Sequence, residues 1–317
     1  MKYTHRKPSL LIRLLALCLL PGLLLPSLSG CAPREEEKSA FRIVTSFYPM
    51  YIITLNITQG IEGVTVSNMA GQQTGCLHDY QLQNKDMKNL ETADAFVING
   101  AGMESFLEKA IQQLPELPII DSSQGISLLS EEEGHDHSHE DAAEEGHGET
   151  NAHIWVSISN CIQQVENVTA ALEELDPERA AQYRANGDAY KEKLSALRVK
   201  MHRELDGLPN RDIVTFHEAF PYFAEEFDLY IVAVVNREPD SQPSARELAN
   251  AIRLIQSTGV TAVFAEPQYS ESAAQVISNE SGATLYLLDP AVTGEDDPDA
   301  YLNAMEKNLE VLKQALA

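Results

Sequence analysis

Two kinds of hydrophobic pattern alternate along this chain. Short runs rich in β-branched and aromatic residues predict eight strands, at Phe41–Phe47, Val64–Met69, Ala95–Asn99, Pro118–Ser122, Asp212–Phe216, Leu229–Val235, Ala262–Glu266 and Thr284–Asp289. Helical spacing follows the later runs, near residues 218–227, 244–257, 270–280 and 299–316. Ser244 and Glu247 form a capping box for the second of these helices. Strands and helices that alternate twice over predict an α/β protein of two domains with mostly parallel sheets.

A long helical stretch lies between the two halves. Asp176 is a good N-cap and Pro177 a good first helical residue, and only Gly187 interrupts the helix formers before Leu205. Such a helix would extend about 44 Å at the α-helical rise per residue. It is long enough to run along both domains and connect them. The alternative is an ordinary helix packed on one domain.

The first thirty residues have the character of an export signal. Basic residues lie within the first thirteen positions, and the apolar run Leu14–Leu25 follows without an acidic residue. This run is too short to span a bilayer comfortably but fits the core of a signal peptide. The sequence Leu-Ser-Gly-Cys at 28–31 resembles a bacterial lipobox, so we expect cleavage after residue 30 and a lipid on Cys31. An uncleaved signal anchor is the alternative.

Charge and composition narrow the possible partners. The 317 residues include 48 acidic and 23 basic ones, a formal net charge of −25. A surface this acidic repels phosphate backbones, so we expect no nucleic-acid partner. It does not disfavour metal cations. With 44% hydrophobic residues, the chain has enough apolar side chains to build packed cores.

One acidic segment, residues 131–149, is rich in histidine and almost free of apolar residues. Its histidines are His135, His137, His139 and His147. The first three alternate, so they project to one side of an extended chain, and the carboxylates between them would attract cations. We interpret the segment as a loop that collects or senses zinc weakly. The alternative is a solvated spacer.

Three further histidines, His78, His153 and His217, stand at junctions between predicted elements. His217 directly follows a predicted strand, and in open α/β sheets ligands bind beyond the carboxyl ends of strands. The three are far apart in the sequence, so no local zinc motif joins them. Taken singly, each fits a structural histidine as well as a metal ligand.

Five segments resemble the metal-binding lipoproteins of bacterial ABC importers for zinc and manganese, the cluster A-I or cluster 9 solute-binding proteins. They are Leu77–Tyr80, His153–Trp155, Thr215–Phe223, Phe264–Gln268 and Leu287–Pro290, in that order. The resemblance implies two Rossmann-like lobes joined by one long rigid helix, with the metal in the cleft between them. It also implies an ABC permease as partner, a lipid anchor on the outer face of the cell membrane, and a monomer.

The family's organisation and ligand set carry over to particular positions of this sequence. The expected order is a lipoprotein signal peptide at 1–30, a lipidated tether at 31–40, an N-terminal lobe at 41–175, a connecting helix at 176–206 and a C-terminal lobe at 207–317. The resemblance implies His78 and His153 as metal ligands from the first lobe, and His217 and Asp289 from the second. Glu266 is the alternative fourth ligand, or it orients a ligand histidine, and water in that position stays open.

Two features bear on the identity of the metal. Manganese-binding members typically have Glu where this chain has His217, so three imidazoles and a carboxylate favour Zn²⁺ as the transported ligand. Manganese import stays the alternative.

The thiols of Cys76 and Cys161 flank presumed ligand loops, and three possibilities are open for them: a Cys76–Cys161 disulfide, two free thiols, or thiolate ligation of the metal. The family's usual Asp-Pro before His-x-Trp is replaced here by Asn151-Ala152.

An enzyme is disfavoured by a failed motif. His217-Glu218 begins like the His-Glu-x-x-His zinc hydrolase motif, but Pro221 stands where the second histidine belongs. A site closed by four protein ligands also suits capture and release better than hydrolysis. We therefore expect a zinc-binding component of an importer, and a surface adhesin or zinc store is the alternative.

Overall fold

The strands form two separate four-stranded sheets. The computed structural model describes residues 40–77, 80–130, 150–235, 243–268 and 271–317. The first sheet contains β1 (Phe41–Thr45), β2 (Val64–Asn68), β3 (Ala95–Ile98) and β4 (Ile119–Asp121), and the second contains β5 (Asp212–Thr215), β6 (Tyr230–Val234), β7 (Ala262–Ala265) and β8 (Thr284–Leu287). The order is β2-β1-β3-β4 in one and β6-β5-β7-β8 in the other, and the strands pair in parallel throughout. The predicted α/β fold class is confirmed.

Helices cover both faces of the sheets. They are α1 (Tyr48–Thr58), α2 (Asn84–Leu90), α3 (Glu108–Ile111), α4 (Ile158–Leu175), α5 (Ala180–Leu205), α6 (Pro221–Glu226), α7 (Ala245–Thr258), α8 (Ser272–Ser281) and α9 (Ala300–Leu316). This cover explains why the central strands β3 and β7 are apolar along their whole length instead of alternating. The predicted capping box is present at the start of α7, where the Ser244 hydroxyl accepts from the Glu247 amide. None of the helices in the described ranges combines the length and apolarity needed to cross a membrane.

The long helix α5 contacts both halves of the molecule. Asn186 donates to the carbonyl of Ile57 at the end of α1, and Lys193 pairs with Asp299 at 2.8 Å, next to α9. The alternative of a helix packed on one domain is therefore wrong. The helix begins at Ala180 and not at Pro177, because residues 177–179 form a turn held by Asp176.

The hydrophobic core is continuous between the halves. One cluster of buried side chains includes Phe47 and Trp155 from the first half and Phe223 and Leu312 from the second. Residues Ala40–Ala317 accordingly form one compact unit. Smaller clusters fill the outer faces of the two sheets.

Candidate metal centre

The topology of both sheets creates a binding position at their carboxyl edges. In each sheet the chain leaves the two middle strands in opposite directions, which opens a crevice beyond their ends. In the second sheet these strands are β5 and β7. His217 follows the end of β5 by two residues, and Glu266 follows β7 directly. Both side chains belong to residues that are almost fully buried, at 3% and 2% exposure.

His153 reaches the same place from the first half, at the start of the turn of 3₁₀ helix Ile154–Val156. Asn151 fixes its orientation, because the Asn151 Oδ1 atom accepts from the His153 amide at 3.0 Å and lies 3.3 Å from its Nδ1. An amide oxygen only accepts hydrogen bonds, so this contact favours the tautomer that carries its proton on Nδ1 and leaves the lone pair on Nε2 for a metal. The indole of Trp155 packs against the ring, with centroids 5.2 Å apart.

Three potential ligand atoms converge between the halves. His153 Nε2 lies 3.0 Å from His217 Nε2 and 3.5 Å from Cys76 Sγ, and all three atoms lie within 4.8 Å of one another. Within the described ranges, this is the one group of three or more such side chains close enough to hold a metal ion. Two nitrogens bound tetrahedrally to one zinc ion would lie about 3.3 Å apart. The donors and their spacing therefore fit a zinc-sized cation of borderline softness.

Two carboxylates follow strands of the second sheet: Glu266 comes directly after β7 and Asp289 two residues after β8. Glu266 is fully buried, and among the residues that the structure describes neither of its oxygens has a hydrogen-bond partner. Burial, reinforced by the charge of Asp289, raises the pKa of Glu266 well above its ordinary value. Asp289 Oδ1 instead accepts from the Gln268 side chain at 2.8 Å and from the Ala291 amide at 2.9 Å. A buried carboxyl without a partner can gain both charge and ligation when a cation is present.

A buried polar network holds the His153 segment against the first sheet. Asn99, which follows β3, donates through Nδ2 to the carbonyl of Ala152 at 2.9 Å. Glu104 accepts from the Asn99 and Gly100 amides and from the Ser46 hydroxyl, at 2.8, 3.1 and 2.7 Å. Gly100 has a φ of +78°, and a Cβ there would meet Asp121 Oδ1 at 2.0 Å, so this turn requires glycine.

Comparison with known proteins identifies the family. A sequence profile of the family described as zinc-uptake complex component A, periplasmic, matches residues 43–315. The chain belongs to this family. The predicted relationship to metal-binding proteins of ABC importers is thereby confirmed.

Two zinc-uptake component A relatives illustrate the similarity. The zinc-binding lipoprotein AdcA of Streptococcus pneumoniae is 31% identical over 296 residues, which are 90% of this chain and 58% of AdcA. The high-affinity zinc uptake system protein ZnuA of Bacillus subtilis is 28% identical over 299 residues, 92% of this chain and 91% of ZnuA. This chain thus spans less than two thirds of the length of the streptococcal relative.

Solved structures of similar proteins contain different metals. FpvC of Pseudomonas aeruginosa in complex with Ni²⁺ has a TM-score of 0.75 and 28% identity, over 87% of this chain and 97% of FpvC. Zn(II)-bound AdcA of Streptococcus pneumoniae has a TM-score of 0.74 and 28% identity, over 87% of this chain and 58% of AdcA. The fold of this zinc-uptake component A family member is therefore that of two-lobed solute-binding proteins.

The structure brings together only part of the predicted site. His153 and His217 lie together in one group with Cys76, and Asp289, whose Oδ1 accepts from Gln268 and Ala291, lies outside that group. His78, Cys31 and the loop histidines at 135, 137, 139 and 147 lie outside the described residues. Their roles stay predictions.

The disulfide considered for Cys76 and Cys161 is not formed. Both residues carry thiols. Cys161 is fully buried in α4, and burial raises the pKa of its thiol to about 12. Cys76 Sγ faces His153 instead, so the two sulfurs belong to different environments.

Sequence reasoning missed the residues that orient the ligands. Asn151 was noted only as a departure from the family's Asp-Pro, yet it contacts His153 and also donates to the carbonyl of Glu218 at 2.8 Å, next to His217. Glu104 was not predicted at all. The one available signal was the pair Gly100 and Gly102 after a strand, which indicates a tight turn but no buried carboxyl within it.

Proposed function

We propose that this chain captures Zn²⁺ outside the cytoplasm and delivers it to the membrane permease of an ABC importer. One observation carries the proposal: the buried imidazoles of His153 and His217 come from opposite halves and place their Nε2 atoms 3.0 Å apart. The names of the relatives, which describe zinc binding and zinc uptake, support zinc as the cargo.

The ligand set that we propose is His78, His153, His217 and Asp289. Glu266 or a water molecule is the alternative to Asp289. Neutral imidazoles with one carboxylate suit zinc better than harder ions such as manganese. The unpartnered carboxyl of Glu266 supports a cation close by, since a positive charge would offset the cost of burying it.

The proposed setting is the extracytoplasmic face of the cell membrane. A lipid on Cys31 would anchor the chain there, and residues 31–40 would act as the tether to a monomeric binding unit. The lipoprotein named among the relatives supports this arrangement. The lobes would be residues 41–175 and 207–317, with 176–206 between them.

We also propose that the protein is not an enzyme. Pro221 stands where a zinc hydrolase motif would need its second histidine, and it begins α6. The histidines of 131–149 would supply a second, weaker zinc-collecting function. Storage or adhesion would need no permease. Growth of a permease deletion strain in zinc-poor medium distinguishes these roles: it should fail if the protein delivers zinc for import and be unaffected if the protein stores zinc or acts as an adhesin.

Metal competition tests the proposal directly. The chain from residue 32, which includes the compact unit Ala40–Ala317, is stripped of metal and offered zinc and manganese together. We expect one tight zinc ion per chain in the wild type and in the control His202→Ala, whose histidine lies on α5 beside Asp206. His217→Ala should lose tight binding, because even residues behind the ligands affect metal affinity by about 10–100-fold.

Two results would contradict the proposal. Preferential retention of manganese would make the chain a manganese importer component. Absence of a tight site in the wild type would remove the capture function altogether and favour the adhesin.

A further inference from the structure

The side chain of Cys76 occupies a place in the metal centre that the family's ligand set does not explain. The residue is half-buried, directly before the fully buried Leu77, and its Sγ atom faces His153 Nε2 at 3.5 Å. Its distance from the ligand atom of His217 is also within 4.8 Å. The sulfur is therefore part of the group of converging donors and not a neighbour outside it.

The distance between the sulfur and the nitrogen matches shared coordination. With zinc–sulfur and zinc–nitrogen bonds of ordinary length and a tetrahedral angle, the two atoms would lie about 3.6 Å apart. The observed 3.5 Å is close to this value. The 3.0 Å between the two imidazole nitrogens is likewise close to the distance of about 3.3 Å expected for two nitrogens on one zinc ion. Two of the three distances thus fit shared coordination of one zinc ion, and the third, between Cys76 Sγ and the ligand atom of His217, is within 4.8 Å.

The backbone around Cys76 is held in position from both halves. Gln73 donates through Nε2 to the carbonyl of Gly294 at 2.9 Å, and the Gly294 amide donates to the carbonyl of Gln72 at 3.2 Å. On the other side, Leu77 is 0% exposed in the core. A segment tied at both ends keeps the thiol aimed at the histidines without a chain rearrangement.

We propose that Cys76 is a metal ligand and binds the captured ion as a thiolate together with His153 and His217. The inference rests on the proposed function of the same site. The thiolate would fill the fourth ligand position as the anionic donor, so that Asp289 becomes an alternative there, as Glu266 and water are; Asp289 Oδ1 already accepts from two protein donors. Sulfur is also the softest donor available to the site, so it strengthens selection of zinc over manganese.

Cobalt substitution tests this ligand, because a thiolate bound to Co²⁺ gives an intense charge-transfer band in the near ultraviolet. We expect the band in the Co²⁺-loaded wild type and in the control Cys161→Ala, which lacks the buried thiol of α4. Cys76→Ser should lose the band and bind zinc at least about tenfold more weakly. Changing a residue that only orients a ligand already lowers metal affinity by about 10–100-fold, and losing a ligand should cost no less. The preference of Cys76→Ser for zinc over manganese should also fall.

A second readout does not depend on the folding of a Cys76 variant. In Cys161→Ala, alkylation of Cys76 by iodoacetamide should be slowed by stoichiometric zinc and restored by a chelator. Tight Co²⁺ and Zn²⁺ binding without the charge-transfer band, or alkylation unaffected by zinc, would overturn the Cys76 assignment and leave zinc capture intact. Absence of tight binding in the wild type would instead sink the proposed function.

Discussion

At the scale of single residues, the centre depends on polar side chains that hold its ligands from behind. Asn151 contacts His153 and the carbonyl of Glu218, so one amide orients histidine segments from both halves. Glu104 supports the same region through Asn99, which donates to Ala152. Such partners matter because a histidine binds metal well only when its ring orientation and tautomer are fixed.

Glu104 predicts a specific pH dependence of stability. Burial raises the pKa of its carboxyl from 4.5 to about 7, against the opposing effect of hydrogen bonds from Ser46, Asn99 and Gly100. Between these two pH values the unfolded chain releases a proton that the folded chain keeps, so the free energy of unfolding falls as the pH rises. The whole decrease is about 3 kcal/mol, complete above the raised pKa.

Urea unfolding of the wild type and of Glu104→Gln, with a chelator present, measures this effect. The pH is varied from 4 to 8 in steps of about one unit, because this range brackets both pKa values of the carboxyl. Subtracting the two curves cancels all other titrating groups. We expect the stability of the wild type, relative to the variant, to decrease by about 3 kcal/mol across the range. A difference that stays constant would show that the carboxyl has an ordinary pKa.

At the scale of elements, the alternation of strand and helix signals was enough to predict both sheets. The strands agree within two residues at each end, because their runs of β-branched and apolar residues are short and contain no helical periodicity. Helix α4 was not predicted, since its polar residues Gln163, Gln164 and Asn167 weaken the apolar stripe. Gln164 is nevertheless buried, where it donates to Asn99 and Ser122. The site was less predictable, because the contact between Cys76 and His153 depends on tertiary structure.

The contact between α4 and α5 gives a prediction at this scale. Gly187 faces Thr169, and a Cβ at Gly187 would lie 2.4 Å from the Thr169 hydroxyl oxygen and 3.0 Å from its methyl carbon. We expect Gly187→Ala to destabilise the protein by about 1–3 kcal/mol through overpacking. This exceeds the gain of about 1 kcal/mol that alanine offers in a helix interior. Denaturant unfolding measures the difference.

The double variant Gly187→Ala/Thr169→Ala provides the matched control. It removes both of the closest atoms, so it should recover most of the stability lost in Gly187→Ala. Thr169→Ala alone reports the separate cost of losing the hydroxyl, which donates to the Val165 carbonyl at 2.7 Å. If the double variant were no more stable than Gly187→Ala, the helices would not be limited by this contact.

The residues on either side of the acidic segment 131–149 are held together by contacts of their own, so we expect that the segment can be removed without disturbing the metal centre. Ser130 and Thr150 form an antiparallel bridge, and the Asn151 amide donates to the Leu129 carbonyl at 2.9 Å. The Tyr222 hydroxyl connects both sides, since it accepts from the Leu129 amide and donates to the Asn151 carbonyl. Two antiparallel strands need only a two-residue turn such as Asn-Gly to join them.

Replacing residues 131–149 with Asn-Gly should therefore preserve one tight zinc ion per chain and remove only weaker equivalents. Isothermal titration with zinc separates the two classes. The control keeps the segment 131–149 and substitutes its four histidines by Gln. It should lose the same weakly bound zinc equivalents. Loss of the tight site in the Asn-Gly variant alone would mean that the segment supports His153 structurally.

At the scale of the whole molecule, buried contacts join the two halves beside the metal centre. The Trp155 indole donates to the Pro290 carbonyl at 2.8 Å, and the Tyr301 hydroxyl donates to the Trp155 carbonyl at 2.8 Å. Glu226 accepts from the hydroxyls of Ser157 and Ser159, at 2.7 and 2.6 Å. Opening the halves would expose these groups and divide the common core, so a large hinge motion is energetically unfavourable.

Zinc binding should accordingly leave the overall dimensions of the protein nearly unchanged, with capture and release confined to the loops that carry the ligands. A compact chain of this size has a radius of gyration of about 19 Å. We expect small-angle scattering with and without zinc to give radii that agree within about 1 Å, as in other preorganised complexes. The Asn-Gly variant of 131–149 serves as the matched sample, because any ordering of the acidic segment by weakly bound zinc is absent there. Compaction by more than about 2 Å in that variant would require a hinge between the halves, and the contacts of Trp155 and Glu226 would then have to break in each transport cycle.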